Sequence, residues 1–200
     1  TINILSLPTI DAGADETICF GDSIQLSASG GENYLWTPNN NITSNNISNP
    51  VVFPANFTEY IVTGTDLNNC SNKDSVLVLV NDLPIIVTSN DASICYGDSI
   101  IISASGGATY QWLNQDSISN INISTPQIWP TLNSTYKVIV TGINNCIDTA
   151  EINIQVNSIP IIDAGVNQNI CNGDTAQINV VGAVDYLSLI HISEPTRPMN

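Results

Sequence analysis

The sequence predicts an all-β chain made of small antiparallel β-sandwiches in tandem. Three observations lead to this prediction. A segment of 76 residues recurs along the chain without gaps, short stretches alternate apolar and polar residues, and no stretch shows the apolar stripe of a helix. Short alternating strands separated by turn residues are typical of β-sandwiches.

The recurring segment is easiest to follow from its Ile-Cys start. ICFGDSIQLSASGGENYLW from Ile18 returns as ICYGDSIIISASGGATYQW from Ile94, and begins again as ICNGDTAQINVVGAVDY from Ile170. A fixed period of this length indicates one structural unit used repeatedly. Residues that keep the interval of 76 include Trp36 and Trp112, Tyr60 and Tyr136, and Pro84 and Pro160.

The same register predicts the domain boundaries. We expect the end of a preceding unit over residues 1–7, a complete sandwich over 8–83, a second over 84–159 and the start of a further unit over 160–186. The opening TINILSLP aligns with LVLVNDLP at the end of the first complete unit, so the chain is expected to begin inside an earlier repeat. Residues 187–200 fall outside the pattern.

The strands within a unit are predicted from alternation. SIQLSAS, residues 23–29, places Ile24, Leu26 and Ala28 on one face, and EINIQV, residues 151–156, repeats this pattern near the end of a unit. The GG and NN pairs between such stretches indicate turns, because these residues tolerate positive φ. A tryptophan on an early strand and YIVTG or YKVIV on a late one complete the pattern of a sandwich.

Several segments together carry a resemblance to a known family. DAGADETICFGDSIQLSASGGENYLWTP, TEYIVTGTDLNNC and DSVLVLV resemble the immunoglobulin-like or polycystic-kidney-disease-like (PKD-like) repeats of very large surface proteins of gliding bacteria. The resemblance spans residues 1–186. It implies immunoglobulin-like sandwiches, export by a type IX secretion route, and a place on the cell surface as an adhesin or filament. The second unit departs from it, with VTSND for DAGAD and Gly142 in the place of Asp66.

The last residues are interpreted as an artefact. LSLIHISEPTR, residues 187–197, resembles the codon-by-codon translation of a transposase-type sequencing adapter, as in an assembled metagenomic fragment. The repeat calls for a tryptophan at position 188, where Ser188 stands. His191, the single histidine of the chain, is therefore left out of every candidate site.

The charge excludes two classes of partner. Eighteen acidic residues against three basic ones give a net charge of −15, and no cluster of Lys or Arg is available to neutralise phosphates. Binding to nucleic acid or to an anionic membrane surface is therefore not expected. The longest apolar run, SVLVLV at residues 75–80, is far shorter than the about 20 residues that cross a bilayer, so membrane insertion is not expected either.

The cysteines are candidates for disulfides. Cys19 and Cys70, like Cys95 and Cys146, are 51 residues apart, and without a histidine or a CxxC spacing they favour disulfides over zinc. This indicates an oxidising, extracellular setting. We expect pairing within each unit, with Cys19 to Cys146 across the junction as the competitor and free buried thiols as a third outcome. The partner of Cys171 would stand at position 222, so truncation leaves it unpaired.

Catalytic chemistry is not expected. Once the tail is set aside, no histidine remains to activate a Ser, Thr or Cys nucleophile, which excludes hydrolytic triads. The aspartates lie in turn-like segments, where they serve local hydrogen bonding. No cofactor is expected except calcium, for which a weak candidate set lies near the unit ends; its members are Asp11, Asp15, Asp66 and Asp74.

These observations predict a non-catalytic structural or adhesive segment of a secreted protein. Its partners would be the neighbouring repeats and an extracellular surface, glycan or protein ligand. Trp36 and Trp112 are expected in the cores, whereas Trp129, which precedes a proline, is expected to be more exposed and is a weak candidate for ligand contact. Two alternatives remain open: an accessory spacer or carbohydrate-binding module of a secreted hydrolase, and a stalk whose junctions calcium stiffens.

Overall fold

The structure is a computed structural model that describes residues 2–113 and 116–187. The predicted artefactual tail, apart from Leu187, lies outside the described residues, as does His191. All regular elements within the described ranges are β-strands, which confirms the predicted all-β class. No helix in these ranges is long and apolar enough to cross a bilayer.

The first sandwich has one larger and one smaller sheet. The larger sheet has the order β1-β6-β5-β3, and the smaller pairs β2 with β4, extended by the bridges between Asp11 and Ser29 and between Ile42 and Val52. The strands are β1 (Glu16–Cys19), β2 (Ile24–Gln25), β3 (Asn33–Thr37), β4 (Val51–Val52), β5 (Thr58–Thr65) and β6 (Ser71–Asn81).

The second sandwich repeats this arrangement. Its larger sheet has the order β8-β14-β13-β11, while β9 pairs with β12 and β7 with β10. The strands are β7 (Val87–Thr88), β8 (Ala92–Cys95), β9 (Ile100–Ile101), β10 (Ala104–Ser105), β11 (Thr109–Trp112), β12 (Gln127–Ile128), β13 (Ser134–Thr141) and β14 (Ile147–Asn157).

One strand pair in each sandwich runs parallel, a detail that the antiparallel expectation did not include. The chain first bridges to the smaller sheet at Asp11 and then crosses to the larger one, where β1 lies parallel to β6 with Glu16 opposite Val78. The carboxylate of Asp15 accepts a hydrogen bond from the Leu77 backbone N–H at 2.9 Å at this crossing. β1 therefore ends beside the end of β6, at the exit from the sandwich.

The two cores are built from the same positions of the repeat. In each, a tryptophan of the third or eleventh strand and a tyrosine of the following long strand are fully buried. This confirms the prediction that Trp36 and Trp112 are core residues. Nine buried pairs, 76 residues apart, are Ile18/Ile94, Leu26/Ile102, Ala28/Ala104, Trp36/Trp112, Val52/Ile128, Tyr60/Tyr136, Val62/Val138, Val76/Ile152 and Val78/Ile154.

Each buried tryptophan also has its polar atom satisfied. The Trp36 indole N–H donates to the Ile47 carbonyl at 2.9 Å, and that of Trp112 donates to the Ile123 carbonyl at the same distance. A buried indole needs such a partner, because an unpaired donor would lose its hydration without replacement. The irregular segments between β3 and β4 and between β11 and β12 are thereby fastened to the cores.

The residues after 159 repeat the opening contacts of a unit. Asp163 and Val181 form a two-way backbone bridge at 3.0 Å, as Asp11 and Ser29 do in the first sandwich. The Asp163 carboxylate accepts from the Gly165 backbone N–H at 2.8 Å. Apolar side chains in this segment are exposed, among them Ile161, Val166, Ile178 and Val184.

Candidate functional site at the junction of the two sandwiches

A disulfide joins the two sandwiches. Cys19, the last residue of β1, bonds to Cys146, which immediately precedes β14. The Cα atoms are 5.6 Å apart, and the bridge closes a loop between positions separated by 127 residues. Cys19 lies opposite Asn81 in the β1–β6 register, so the bond is made where the chain leaves the first sandwich.

The expected pairings within a unit are wrong, and strand length gives the reason. Cys70 immediately precedes β6, whereas Cys19 lies beside its last residue. At about 3.3 Å per residue, the 11-residue strand separates the two cysteines by roughly 35 Å. Cys95 and Cys146 lie at opposite ends of β14 in the same way. Bridged Cα atoms must lie within about 7 Å, so the competing pairing across the junction is the one formed.

The turn that carries Cys146 is held by the backbone and by one asparagine. Gly142 N–H donates to the Cys146 carbonyl at 2.8 Å, and Asn145 N–H donates back to the Gly142 carbonyl at 3.1 Å. Asn145 has φ of 62°, a conformation that asparagine tolerates better than most residues. The Asn144 amide group donates to the Asp82 carbonyl at 2.8 Å and accepts from the Cys146 N–H at 3.2 Å. Asn144 therefore fixes the turn and fastens it to the linker after β6.

The same turn forms one wall of a cleft at the end of the first sandwich. Thr17, Asp22 and Asn81 line this cleft from one side, and Asn144 and Asn145 line it from the other. The Cys146 sulfur lies 3.9 Å from the Asn81 carbonyl oxygen, which is a packing contact because a bridged sulfur carries no hydrogen. Cys146 has no exposed surface, so a reductant must open the junction to reach its sulfur.

The sequence patterns considered above do not indicate Asn144 and Asp82 as junction residues. The NN pair was interpreted only as a turn signal. A further signal was present, because Asn-Asn-Cys occurs at residues 68–70 and again at residues 144–146, in register with the repeat. An asparagine fixed beside a cysteine in both units indicates that the turn has a role besides reversing the chain.

The candidate calcium ligands are occupied with backbone hydrogen bonds. Within the described residues, no group of three or more His, Cys, Asp or Glu side chains could hold a metal ion. Calcium binding at the junction of the two sandwiches stays a prediction. The carboxylates accept from backbone N–H groups as follows: Asp11 from Gly13 at 2.9 Å, Asp15 from Leu77 at 2.9 Å, Asp66 from Asn68 at 2.8 Å and Cys70 at 2.9 Å, and Asp74 from Ala12 at 2.8 Å.

Trp129 lies away from the junction, directly after β12. Its side chain is 44% exposed, similar to the 47% of Phe53 at the corresponding place in the first sandwich. Its backbone N–H donates to the Ser117 carbonyl at 3.0 Å, which fixes the main chain without covering the ring. A role of Trp129 in ligand contact stays a prediction.

Among the described residues, the pKa is clearly changed for two buried tyrosines. Burial raises the pKa of Tyr60 and of Tyr136 above the ordinary value of 10.0. Their hydroxyls donate to the carbonyls of Asn41 at 3.3 Å and of Ser117 at 3.5 Å, respectively. Both phenols therefore stay neutral near pH 7 and serve to fasten loops.

Comparison with known proteins gives structural likeness only. No protein-family model and no curated protein sequence matches the chain. Immunoglobulin domains 1 and 2 of DIP-gamma match at 14% identity and a TM-score of 0.38, over 76% of this chain and 98% of that one. A three-domain I-band fragment of titin matches at 11% and 0.38, over 78% and 68%. The insect immune protein hemolin matches at 14% and 0.38, over 76% of this chain and 46% of its own length.

The fold assignment rests on the strand arrangement of the chain itself. Two sheets enclose a core in which a strand of the larger sheet contributes a buried tryptophan and the neighbouring strand a buried tyrosine, as in immunoglobulin domains. The two sandwiches are immunoglobulin-like. They differ from antibody domains in having Leu26 and Val62 as buried residues where a disulfide between the sheets is usual, because the cysteines here lie at the ends of the sandwiches.

Proposed function

We propose that the chain is a non-catalytic, tension-bearing segment of a secreted cell-surface protein with a structural or adhesive role. In this proposal the units span residues 8–83, 84–159 and 160–186. The disulfide between Cys19 and Cys146 supports it most strongly, because the bridge joins two separate sandwiches rather than stabilising one. Disulfides persist in oxidising, extracellular compartments, which fits a secreted protein.

The position of the bridge determines how tension would travel. A force applied before Cys19 and after Cys146 passes through the S–S bond, so the residues between them are shielded. These residues include strands β2 to β13 and most of the buried residues of both cores. A loop of 127 residues would otherwise lengthen to roughly 440 Å at about 3.5 Å per residue. The bridged pair would keep its length under loads that unfold an unbridged sandwich.

The surface chemistry fits an extended array that meets an extracellular glycan or protein. A net charge of −15 makes neighbouring units repel one another and favours separation over collapse. The resemblance to repeats of type IX-secreted adhesins points in the same direction. A carbohydrate-binding module of a secreted hydrolase is the second candidate, and exposed Trp129 favours it. Trp36 and Trp112 argue against it, because they are buried in the cores and offer no face to a sugar.

Single-molecule force spectroscopy tests the proposed function. The full chain, tethered by its two ends, is pulled with and without a reductant. Without reductant we expect no unfolding steps from the shielded residues; with reductant we expect both sandwiches to unfold and the extension to increase by roughly 400 Å. The Cys95→Ser variant is the matched control and should behave like the unmodified chain. Unfolding of both sandwiches in the oxidised chain would contradict the proposal.

A further inference from the structure

Cys95 lies in a copy of the site that Cys19 occupies. Cys95 ends β8 opposite Asn157, the last residue of β14, as Cys19 ends β1 opposite Asn81. The flanking backbone is the same. Tyr96 N–H donates to the Asn157 carbonyl at 2.8 Å, the distance found for the corresponding pair in the first sandwich. Cys95 is exposed and is not bridged within the described part of the chain.

The turn after each cysteine also has one geometry. Asp98 N–H donates to the Cys95 carbonyl at 3.0 Å, and Asp22 N–H donates to the Cys19 carbonyl at 3.0 Å. The intervening glycines, Gly21 and Gly97, both have φ of 92°, a value that a side chain would strain. The backbone around Cys95 is thus already in the conformation that the bridged cysteine uses.

A cleft beside Cys95 corresponds to the one that the turn borders at the first junction. Each residue of the first sandwich that lines the cleft beside Cys19 has its counterpart 76 residues later in the cleft beside Cys95. At the first junction, Asn144 and Asn145 of the next sandwich complete the lining. Beside Cys95, the described residues that form the lining all belong to the second sandwich.

The complementary half of such a junction is formed in advance as well. In the first sandwich the turn at residues 66–70 has the geometry of the turn at residues 142–146. Asp66 N–H donates to the Cys70 carbonyl at 2.9 Å, and Asn69 has φ of 62°. This turn forms although no partner sandwich holds it within the described residues. A unit therefore carries a finished turn with a cysteine at one end and a finished cleft with a cysteine at the other.

We infer that Cys95 is the site of a second disulfide between units, formed with the Asn-Asn-Cys turn of a following unit whose cysteine stands at position 222. This inference rests on the proposed repetition of the unit. Forming the bond removes two electrons and two protons from the two thiols. A disulfide oxidant such as oxidised glutathione takes them up and is split into two thiols. Cys70, which lies in the turn of the first sandwich, would form the same disulfide with a preceding unit.

Cys171 is not the partner of Cys95. Asp174 N–H donates to the Cys171 carbonyl at 3.0 Å, so Cys171 has the turn of Cys19 and Cys95 and belongs to the cleft side of its own unit. Cys19, Cys95 and Cys171 are the cleft cysteines, and any two of them are separated by at least one whole unit. Only a turn cysteine of the next unit reaches a cleft, as Cys146 reaches Cys19.

Bridges of this kind would interlock. Each loop links positions 127 residues apart, whereas the unit repeats every 76, so consecutive loops overlap by 51 residues. Alternate loops leave only the 24 residues between a turn cysteine and the next cleft cysteine, such as Cys146 and Cys171, in the path of tension. Two covalent routes would then run side by side along the array. A single broken disulfide would not release a whole unit.

The inference is tested in a chain whose third unit is completed. Residues 187–200 are replaced by residues 35–83, which places a cysteine at position 222. After oxidation by oxidised glutathione and alkylation of the remaining thiols, a protease that cleaves before aspartate puts the cysteines on separate peptides. Mass spectrometry should find Cys19 linked to Cys146 and Cys95 linked to position 222, with Cys70 and Cys171 alkylated. In the unmodified chain, Cys95 should be fully alkylated.

A second chain guards against misfolding of the completed unit. It joins residues 8–159 directly to a second copy of residues 8–159, so that every unit is one already described. Cys95 of the first copy is then followed by the turn that carries Cys70 of the second copy. Linkage of Cys95 to the cysteine of the next turn in either chain supports the inference. Cys19 linked to Cys146, with no linked Cys95 in either chain, overturns the inference and leaves the proposed function standing. Absence of the Cys19 to Cys146 link overturns both.

Discussion

The two sandwiches have matching cores but different ends. Nine buried positions recur in register. One difference between the cores, a glycine replaced by a valine, is balanced by a neighbouring side chain. Val140 fills the place of Gly64, and in the first sandwich Ile10 lies over that glycine, where an added Cβ would overlap it. Ile86, the counterpart of Ile10, is correspondingly less buried. The repeated apolar residues thus determine the sandwich. Where one side chain is larger, as Val140 is compared with Gly64, the neighbouring isoleucine is less buried.

The two turn cysteines, Cys70 and Cys146, differ in burial. Cys146 is fully buried, whereas Cys70 is partly exposed, although both lie in turns with the same backbone hydrogen bonds. The burial of Cys146 therefore comes from the junction and not from its own sandwich. The conformation of the turn therefore comes from its own unit, whereas the burial of its cysteine comes from contact with the neighbouring unit.

The largest expected effect compares the two cleft cysteines. Cys19→Ser should lower the free energy of unfolding by up to about 5 kcal/mol, the chain-entropy value for a loop of 127 residues. Cys95→Ser removes a thiol with no bridge and should change it by less than about 0.5 kcal/mol. Urea unfolding without reductant measures both. Equal effects of the two substitutions would break the comparison.

The next largest effect concerns the matching cores. Trp36→Ala and Trp112→Ala should each cost about 3–5 kcal/mol, because each removes a buried indole and leaves a cavity. The two losses should be similar, since the burial and the indole hydrogen bond are the same in both sandwiches. Trp129→Ala, at an exposed position, is the control. Denaturant unfolding followed by circular dichroism measures the losses, and a large loss for only one core tryptophan would show that the cores are not equivalent.

A smaller effect sharpens a difference between the sandwiches. The Asp74 carboxylate accepts from the N–H of Ala12, which is 1% exposed, whereas the second sandwich has Ala150 at the corresponding place. Asp74→Ala leaves a buried donor unpaired and should cost about 1–3 kcal/mol. Asp148→Ala, which removes an exposed carboxylate that accepts from the neighbouring Thr149 backbone N–H, should cost less. If the urea midpoints of the two variants are equal, the contact from Asp74 does not stabilise the first sandwich.

The smallest effect appears at alkaline pH. Burial raises the pKa of Tyr60 and Tyr136 in the folded state above 10.0, so the folded protein keeps protons that the unfolded chain loses. The contribution of these two phenols should be constant from pH 8 to about pH 10, and stability should fall above that as the unfolded phenols ionise. Tyr60→Phe should make this fall less steep. The urea midpoint from pH 8 to 11 tests it with the three unbridged cysteines changed to serine, and a fall of unchanged steepness in the variant would contradict it.

The sequence predicts the core better than the contacts between units. Trp36 and the alternating strands were predictable because burial is a local property of a repeated pattern. The parallel pairing of β1 with β6 was not, since alternation does not carry strand direction. The expected partner of Cys19, Cys70, is wrong, and the competitor Cys146 is the one bonded. A spacing of 51 residues measures distance along the chain, and an 11-residue strand converts it into a separation that no disulfide can span.

The most direct measurement is disulfide mapping of the oxidised chain. Thiols are alkylated without reduction, the chain is cleaved before its aspartates, and the linked peptides are sequenced by mass spectrometry. We predict one linkage, between Cys19 and Cys146, with Cys70, Cys95 and Cys171 alkylated. Linkages of Cys19 to Cys70 and of Cys95 to Cys146 would contradict the account, because each sandwich would then be closed on itself and the junction would carry no covalent bond.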